Sequence, residues 1–209
     1  MKFCMSILFT GVVGGFGLSV WIGCQPAAEK KKPETLILQL QAESPEKRRR
    51  AAEDLGQMGP AAAAAVPALI AALADTMDPK VSQAAAYALG DIGPAAKEAV
   101  PALRALITEE RSYVTIAAAG ALGQIDKTEK SQALDFLLSA LTDQRVGFRA
   151  NAVSALGHFN QDAKRIVPSL ATALRDTAED VRRNALTALR VLELLDSAEA
   201  RAVLKNAGQ

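Results

Sequence analysis

Apolar residues recur with helical spacing along most of the chain, and the recurrence itself repeats. Leu-Gly stands at Leu55-Gly56, Leu89-Gly90, Leu122-Gly123 and Leu156-Gly157, at intervals of 34, 33 and 34, and a further 33 reaches Leu189. Pro67, Pro101 and Pro168 keep the same rhythm, with Leu134 in the third place and Arg201 in the fifth. Two markers that drift together define a repeat of 33 to 34 residues. Each repeat predicts two helices. In the second, Asp78-Pro79 supplies a cap and a first-turn proline, and Val81, Ala85, Leu89 and Ile92 share one face. Gly93-Pro94 ends that helix. A second helix over 95–107 then presents Val100, Leu103 and Ile107, bent early by Pro101. Val66, Leu69 and Leu73, then Val167, Leu170 and Leu174, hold the equivalent places.

Small residues share one position in successive first helices: Ala51-Ala52, Ala84–Ala86 and Ala117–Ala119. Without bulk there, neighbouring helices approach closely, and the marker leucines fill the space between layers. One hairpin cannot offset its ordering entropy, but stacked hairpins shelter one another. The expected fold is all-α, a right-handed α-solenoid over 34–209. It has about five two-helix units at 43–77, 78–110, 111–144, 145–177 and 178–209. Leu36 and Leu40 sit like Leu69 and Leu73, so residues 33–42 read as an N-terminal half-repeat cap.

The chain's start follows different rules. From Met5 to Ile22 there is no charged side chain, and Lys2 precedes the stretch. A basic start, an apolar middle and a small-residue end predict a secretory signal over 1–23. Gly11, Gly14, Gly15 and Gly17 weaken a permanent helix there. Gly23-Cys24 resembles the bacterial lipoprotein cleavage box, although Trp21 stands where that box usually has Leu. The resemblance implies cleavage before Cys24 and lipid attachment at Cys24. A plain cleaved signal and an uncleaved anchor are the other readings. For an anchor, Lys30–Lys32 outweigh Lys2 and set the orientation against export. Residues 24–33 then form a lipidated Cys and flexible tether, of which the nine residues after Cys24 reach at most about 30 Å. The expected address is a cell membrane or outer membrane lipoprotein, its domain facing the periplasm or the exterior. Gln25, where an Asp often marks inner-membrane retention, leans toward the outer membrane.

Composition narrows the chemistry. The chain holds 24 Lys+Arg against 23 Asp+Glu, which argues against general nucleic-acid binding. Two Cys and one His leave no Cys/His zinc site and no disulfide framework. Cys4 departs with the leader, and His158 stands at the polar position held by Gln57, Asp91 and Gln124. No base pairs obviously with a nucleophile, so no catalytic, cofactor or metal residue is expected. Tyr87 and Tyr113 are isolated in the sequence, without an aromatic cluster to stack bases. Arg48–Arg50 with Glu46, Glu53 and Asp54 reads as a paired, solvated face. Residues 145–177 carry 5 basic and 2 acidic side chains, while 78–110 carry 3 and 5. That polarity suits the steering of a partner.

The order Asp-Pro, Val-Arg, Ala-Ala, Ala-Leu-Gly, Ile-Gly and Val-Pro-x-Leu resembles HEAT repeats of the short, phycobilisome-lyase-like kind. It covers about residues 43–209. The family's first-helix Arg matches Arg48, Arg149 and Arg182, with Ser82 and Thr115 in its place between them. Its unit-end Asp matches Asp75, Asp143 and Asp176, and the resemblance implies a ladder of these residues between repeats. It also implies a concave face lined by second helices that binds a protein or peptide. Carried over, that face includes Lys97, Glu98, Lys130, Ser131, Asp135, Lys164, Arg165, Ser169 and Thr172. The expected function is a non-catalytic interaction scaffold held at the membrane through Cys24. A lyase or isomerase like the bilin enzymes that name the repeat is the alternative, and a DNA-repair HEAT protein is a third reading. Bilin chemistry conflicts with export, and DNA repair lacks its basic groove and aromatics here.

Overall fold

The computed structural model describes residues 32–107, 112–159, 162–192, 201 and 205. The expected leader, Cys24 and most of the tether lie outside them. Among the described residues ten α-helices run in order: α1 Pro33–Gln39, α2 Pro45–Gln57, α3 Val66–Ala72, α4 Pro79–Ile92, α5 Val100–Leu106, α6 Tyr113–Ile125, α7 Lys130–Ala140, α8 Val146–Leu156, α9 Ala163–Ala173 and α10 Glu179–Val191. Among the described residues there is no strand. The architecture is an all-α stack of hairpins. Helices α2, α4, α6, α8 and α10 form the first-helix layer, and α1, α3, α5, α7 and α9 form the second.

Local chemistry sets the ends. The Asp78 carboxylate accepts the Lys80 N–H at 2.9 Å and caps α4. Ser112 and Thr115 exchange side-chain and backbone hydrogen bonds of 3.2 and 3.0 Å, a reciprocal cap on α6. Gly93 ends α4 at φ 72°, where a side chain would be strained. The second helix of that unit differs from the continuous, bent helix expected over 95–107. A 3₁₀ segment, Gly93–Ala99, precedes α5, and Pro101 falls in the first turn of α5. Proline has no N–H for an i−4 carbonyl, so it is at home where α hydrogen bonding begins. Gly59–Ala65 before α3, and Pro67 in the first turn of α3, repeat the arrangement. Pro168, by contrast, lies inside α9.

The marker leucines are internal. Leu55, Leu89, Leu156 and Leu189 are fully buried, and Leu122 is 2% exposed. Each such burial contributes roughly 1.5–3 kcal/mol. The glycines beside them explain why the first helices lie so close. A methyl group at Gly56 would stand 3.1 Å from the Ala88 Cα, and one at Gly90 would stand 3.1 Å from the Ala121 Cα. At Gly123 it would meet the Phe159 ring at 2.2 Å. Phe159 is fully buried, so its ring has nowhere to go. Gly123→Ala is expected to destabilise the protein by about 1–3 kcal/mol. Urea denaturation reads this directly, and an unchanged midpoint would show that the layers can part at no cost.

Two kinds of polar contact hold the stack. Arg48 grips Asp75 through Nε at 2.6 Å and Nη2 at 3.2 Å, while its Nη1 donates to the carbonyls of Ala42 and Glu43. Arg149 repeats this on Asp176 at 2.7 and 2.8 Å and on the carbonyls of Asp143 and Gln144. Arg182 donates to the carbonyls of Asp176 and Thr177. These are the expected ladder residues, but each Arg–Asp pair lies within one unit rather than between repeats, and it is the bonds to backbone carbonyls that fasten the loop before the unit. Ser82, in the second unit, reaches only the Asp75 carbonyl, at 3.1 Å. Asp143 pairs with Arg145 instead.

The second-helix layer is joined differently. Its helices stand farther apart than the first helices, and long side chains bridge units two to three and three to four. Lys97 meets Asp126 at 3.8 Å, Arg104 pairs with Glu129, Lys130 meets Asp162 at 2.8 Å, and Arg165 pairs with Asp135.

Candidate functional site

A stack bends toward the layer whose members lie closest. Here that is the first-helix layer, where glycine and alanine permit backbone contact. In α6 every residue from Thr115 to Leu122 is buried. One cleft takes Asp78, Lys80 and Gln83 from the start of α4, Tyr113 and Val114 from α6, and Arg145 and Asn151 from the α8 region. Units two and four therefore converge over unit three. This cleft opens on the first-helix side, whereas the expected partner face lies on the second helices. The contact residues are small in one layer and long and charged in the other.

The inner groove has two connected parts. The three-unit cleft encloses about 640 Å³. A cleft of about 430 Å³ between α2 and α4 adjoins it, lined by Arg49, Glu53, Gln57, Tyr87 and Asp91. Lys80 and Gln83 line both. The floor is Gly56, Ala84 and Ala88. Burial pushes the Tyr87 hydroxyl above its ordinary range, eased by a hydrogen bond with Gln83. Desolvation likewise raises the Asp91 carboxyl, and the charge of His158, two units along, opposes it. Arg49 is held by Glu46 at 2.8 Å and by Glu53. Hydrogen bonds from Arg49 and then Arg50 keep the Glu46 carboxyl below the usual carboxylate range. The Arg48–Arg50 run is thus divided, with Arg49 and Arg50 on the solvated face and Arg48 in its ladder.

Tyr113 is not isolated. Its ring centroid lies 6.2 Å from that of Phe148, and the Arg145 guanidinium covers Phe148 at 4.3 Å. The groove offers mixed cations, carboxylates, amides and two tyrosines on rigid helices. Among the described residues no three His, Cys, Asp or Glu side chains gather as a metal set. No described helix is long and apolar enough to cross a membrane.

The repeat pattern that built this groove also matches a known family. HEAT repeats match residues 33–122, 66–148 and 134–208, together most of the chain. The chain belongs to the HEAT-repeat family. Among solved structures, this HEAT chain is similar to the complex of CpcE and CpcF of phycocyanin lyase from Nostoc sp. PCC7120. The identity is 30%, over 87% of this chain and 70% of that one, with a TM-score of 0.52. An engineered protein shares the fold at 20% identity, over 85% and 97% of the two chains, with a TM-score of 0.50. No curated protein sequence matches.

The residues carried over as a partner face lie on the second-helix side of this HEAT stack. Lys97, Lys130, Asp135 and Arg165 are engaged in the bridges between units. Arg165 also donates to Ser131 at 3.4 Å. Glu98 is exposed. The Thr172 hydroxyl donates to the Pro168 carbonyl at 3.0 Å. Ser169 and Thr172 line a separate cleft of about 430 Å³ with Leu138, Leu141 and Arg175. The Lys164 side chain lies outside what is described. Sequence reasoning passed over Tyr113, Lys80 and Gln83. Aligning the unit starts would have raised them, because Pro79-Lys80, Tyr113-Val114 and Val146-Gly147 share one register.

Proposed function

We propose that this HEAT chain is a non-catalytic scaffold that holds a protein partner in its inner groove. The observation that carries the reading is the pair of adjoining clefts that share Lys80 and Gln83 on rigid helices. Mixed polar walls over a small-residue floor suit an extended peptide backbone. On this reading the protein is exported, acylated at Cys24 and kept near the bilayer by its tether. Several acyl chains anchor stably where one is marginal. The similarity to a protein of a two-protein complex supports a partner-binding role.

Photo-crosslinking in intact envelopes tests both parts. A photoreactive residue at position 83 is expected to give a discrete adduct, and one at position 98, on the second-helix side, none. Adducts from 98 alone would move the site to the second helices. Cys24→Ser is expected to shift the protein from the membrane fraction to the soluble one. Retention of that variant would remove the lipid from the account.

A second reading, a bilin lyase or isomerase, is favoured by the 30% identity to the phycocyanin lyase complex. Incubation with bilins that produced a specific absorbance shift would favour it over the scaffold.

A further inference from the structure

We propose that the cleft where units two, three and four meet binds acidic side chains of an extended partner peptide. The inference rests on the scaffold reading and specifies the partner's chemistry. Lys80 occupies the second position of α4. A cation there opposes the positive end of the helix dipole, so the fold gains nothing from it. Where a residue breaks a local rule without structural benefit, function is the first explanation to test. Lys80 is exposed and has no ion pair among the described residues. The same position holds Glu46 in the first unit and Asp180 in the fifth, the charge a helix start favours, whereas units three and four hold Val114 and Gly147. The acidic rim is therefore interrupted where the cleft opens.

The far wall is prearranged for the same chemistry. Asp143 fixes Arg145 through Nε at 2.9 Å and Nη2 at 3.0 Å, with the guanidinium 4.3 Å from the centre of the Phe148 ring. A guanidinium set over an aromatic ring keeps its orientation and its positive charge at the wall of the cleft. The carboxylate that lines the cleft, Asp78, is committed to capping the Lys80 N–H. Tyr113 and Val146, 43% and 42% exposed, add apolar surface beside the charges. Gln83 and Asn151 add amides that can pair with a peptide backbone. A partner carboxylate at Lys80, on the side of the cleft that faces the Arg145 charge, with an apolar neighbour against Tyr113, matches the lining of the cleft.

Fluorescence anisotropy on the full chain in uncharged detergent tests this. The probe is a fluorescein-labelled heptapeptide of alternating Glu and Leu, with its Gln-for-Glu twin as control. The Glu peptide is expected to bind at least about tenfold tighter, the scale of one charge-assisted contact. Lys80→Gln is expected to erase most of that difference with the melting curve unchanged, because the Lys80 side chain makes no ion pair or hydrogen bond among the described residues and its backbone N–H keeps the Asp78 cap. Glu98→Gln, on the second-helix side, is expected to leave both affinities as they are. Equal affinity for the twins, an unaffected Lys80→Gln protein, or competition by inorganic phosphate at the peptide's own concentration would overturn the proposal. If position 83 still crosslinks its native partner while the twins bind alike, the acidic preference is wrong and the scaffold reading stands.

Discussion

Phe159→Ala is expected to lower the unfolding free energy by about 3–5 kcal/mol, a large effect for one side chain. The ring is fully buried and occupies the hollow over Gly123, where a methyl group would lie 2.2 Å from its tip. Truncation leaves a cavity between units three and four, beside Gly123. The measurement is chemical denaturation at neutral pH with the wild-type chain alongside. A loss below about 1 kcal/mol would mean that the layers collapse into the space and that the junction is softer than its contacts imply. The double variant Gly123→Ala with Phe159→Ala sharpens the test. If the two residues share one space, the added methyl partly refills the cavity and the losses do not add.

Asp176→Ala is expected to cost about 2–3 kcal/mol, the scale of a lost charge-assisted contact. Its carboxylate receives Arg149 in a two-pronged grip and accepts the Ala178 N–H at 2.9 Å. Both side chains are nearly enclosed, at 12% and 13% exposure. Removing one partner leaves an enclosed cation with a single set of carbonyl partners. The same contact ties stability to pH. The hydrogen bond from Arg149, with lesser help from the Ala178 N–H, holds the Asp176 carboxyl below the usual carboxylate range, and Arg48 does the same for Asp75. A depressed carboxyl binds its proton less readily in the folded state than in the unfolded one. The stability it contributes is therefore present above about pH 4 and is lost as pH falls through the folded value. Thermal melts between pH 6 and pH 2 should fall less steeply for Asp176→Asn than for the parent. Parallel curves would show that Asp176 does not carry the acid sensitivity.

The hairpin stack was legible because its determinants are local and repeated. Leu-Gly, Asp-Pro and the buried leucines act within one unit or between neighbours, so their spacing alone specifies α2 through α10. Leu36 and Leu40 are buried like Leu69 and Leu73, at 1% and 5% exposed. The direction of the bend was not legible. It depends on the difference in spacing between the two layers, and no single unit contains that difference. The small residues at Ala84–Ala86 and Ala117–Ala119 marked close approach, but close approach on one side implies curvature only when the other side stands wider. Tyr113 shows a related limit. It is solitary in the sequence, and Phe148, 35 positions later by number, reaches it only because unit four closes over unit three. Pro101 shows a third limit: the residue was noticed, but whether it bends a helix or begins one depends on the 3₁₀ turn before it.

The enclosed Arg48–Asp75 and Arg149–Asp176 grips flank a middle section fastened on its outer side by Lys97–Asp126, Arg104–Glu129, Lys130–Asp162 and Arg165–Asp135. Lys97, Arg104 and Arg165 are 76%, 59% and 43% exposed. Dissolved ions weaken exposed pairs far more than enclosed ones. Salt is therefore expected to weaken the Lys97, Arg104 and Arg165 bridges between units two, three and four while leaving the two enclosed grips in place.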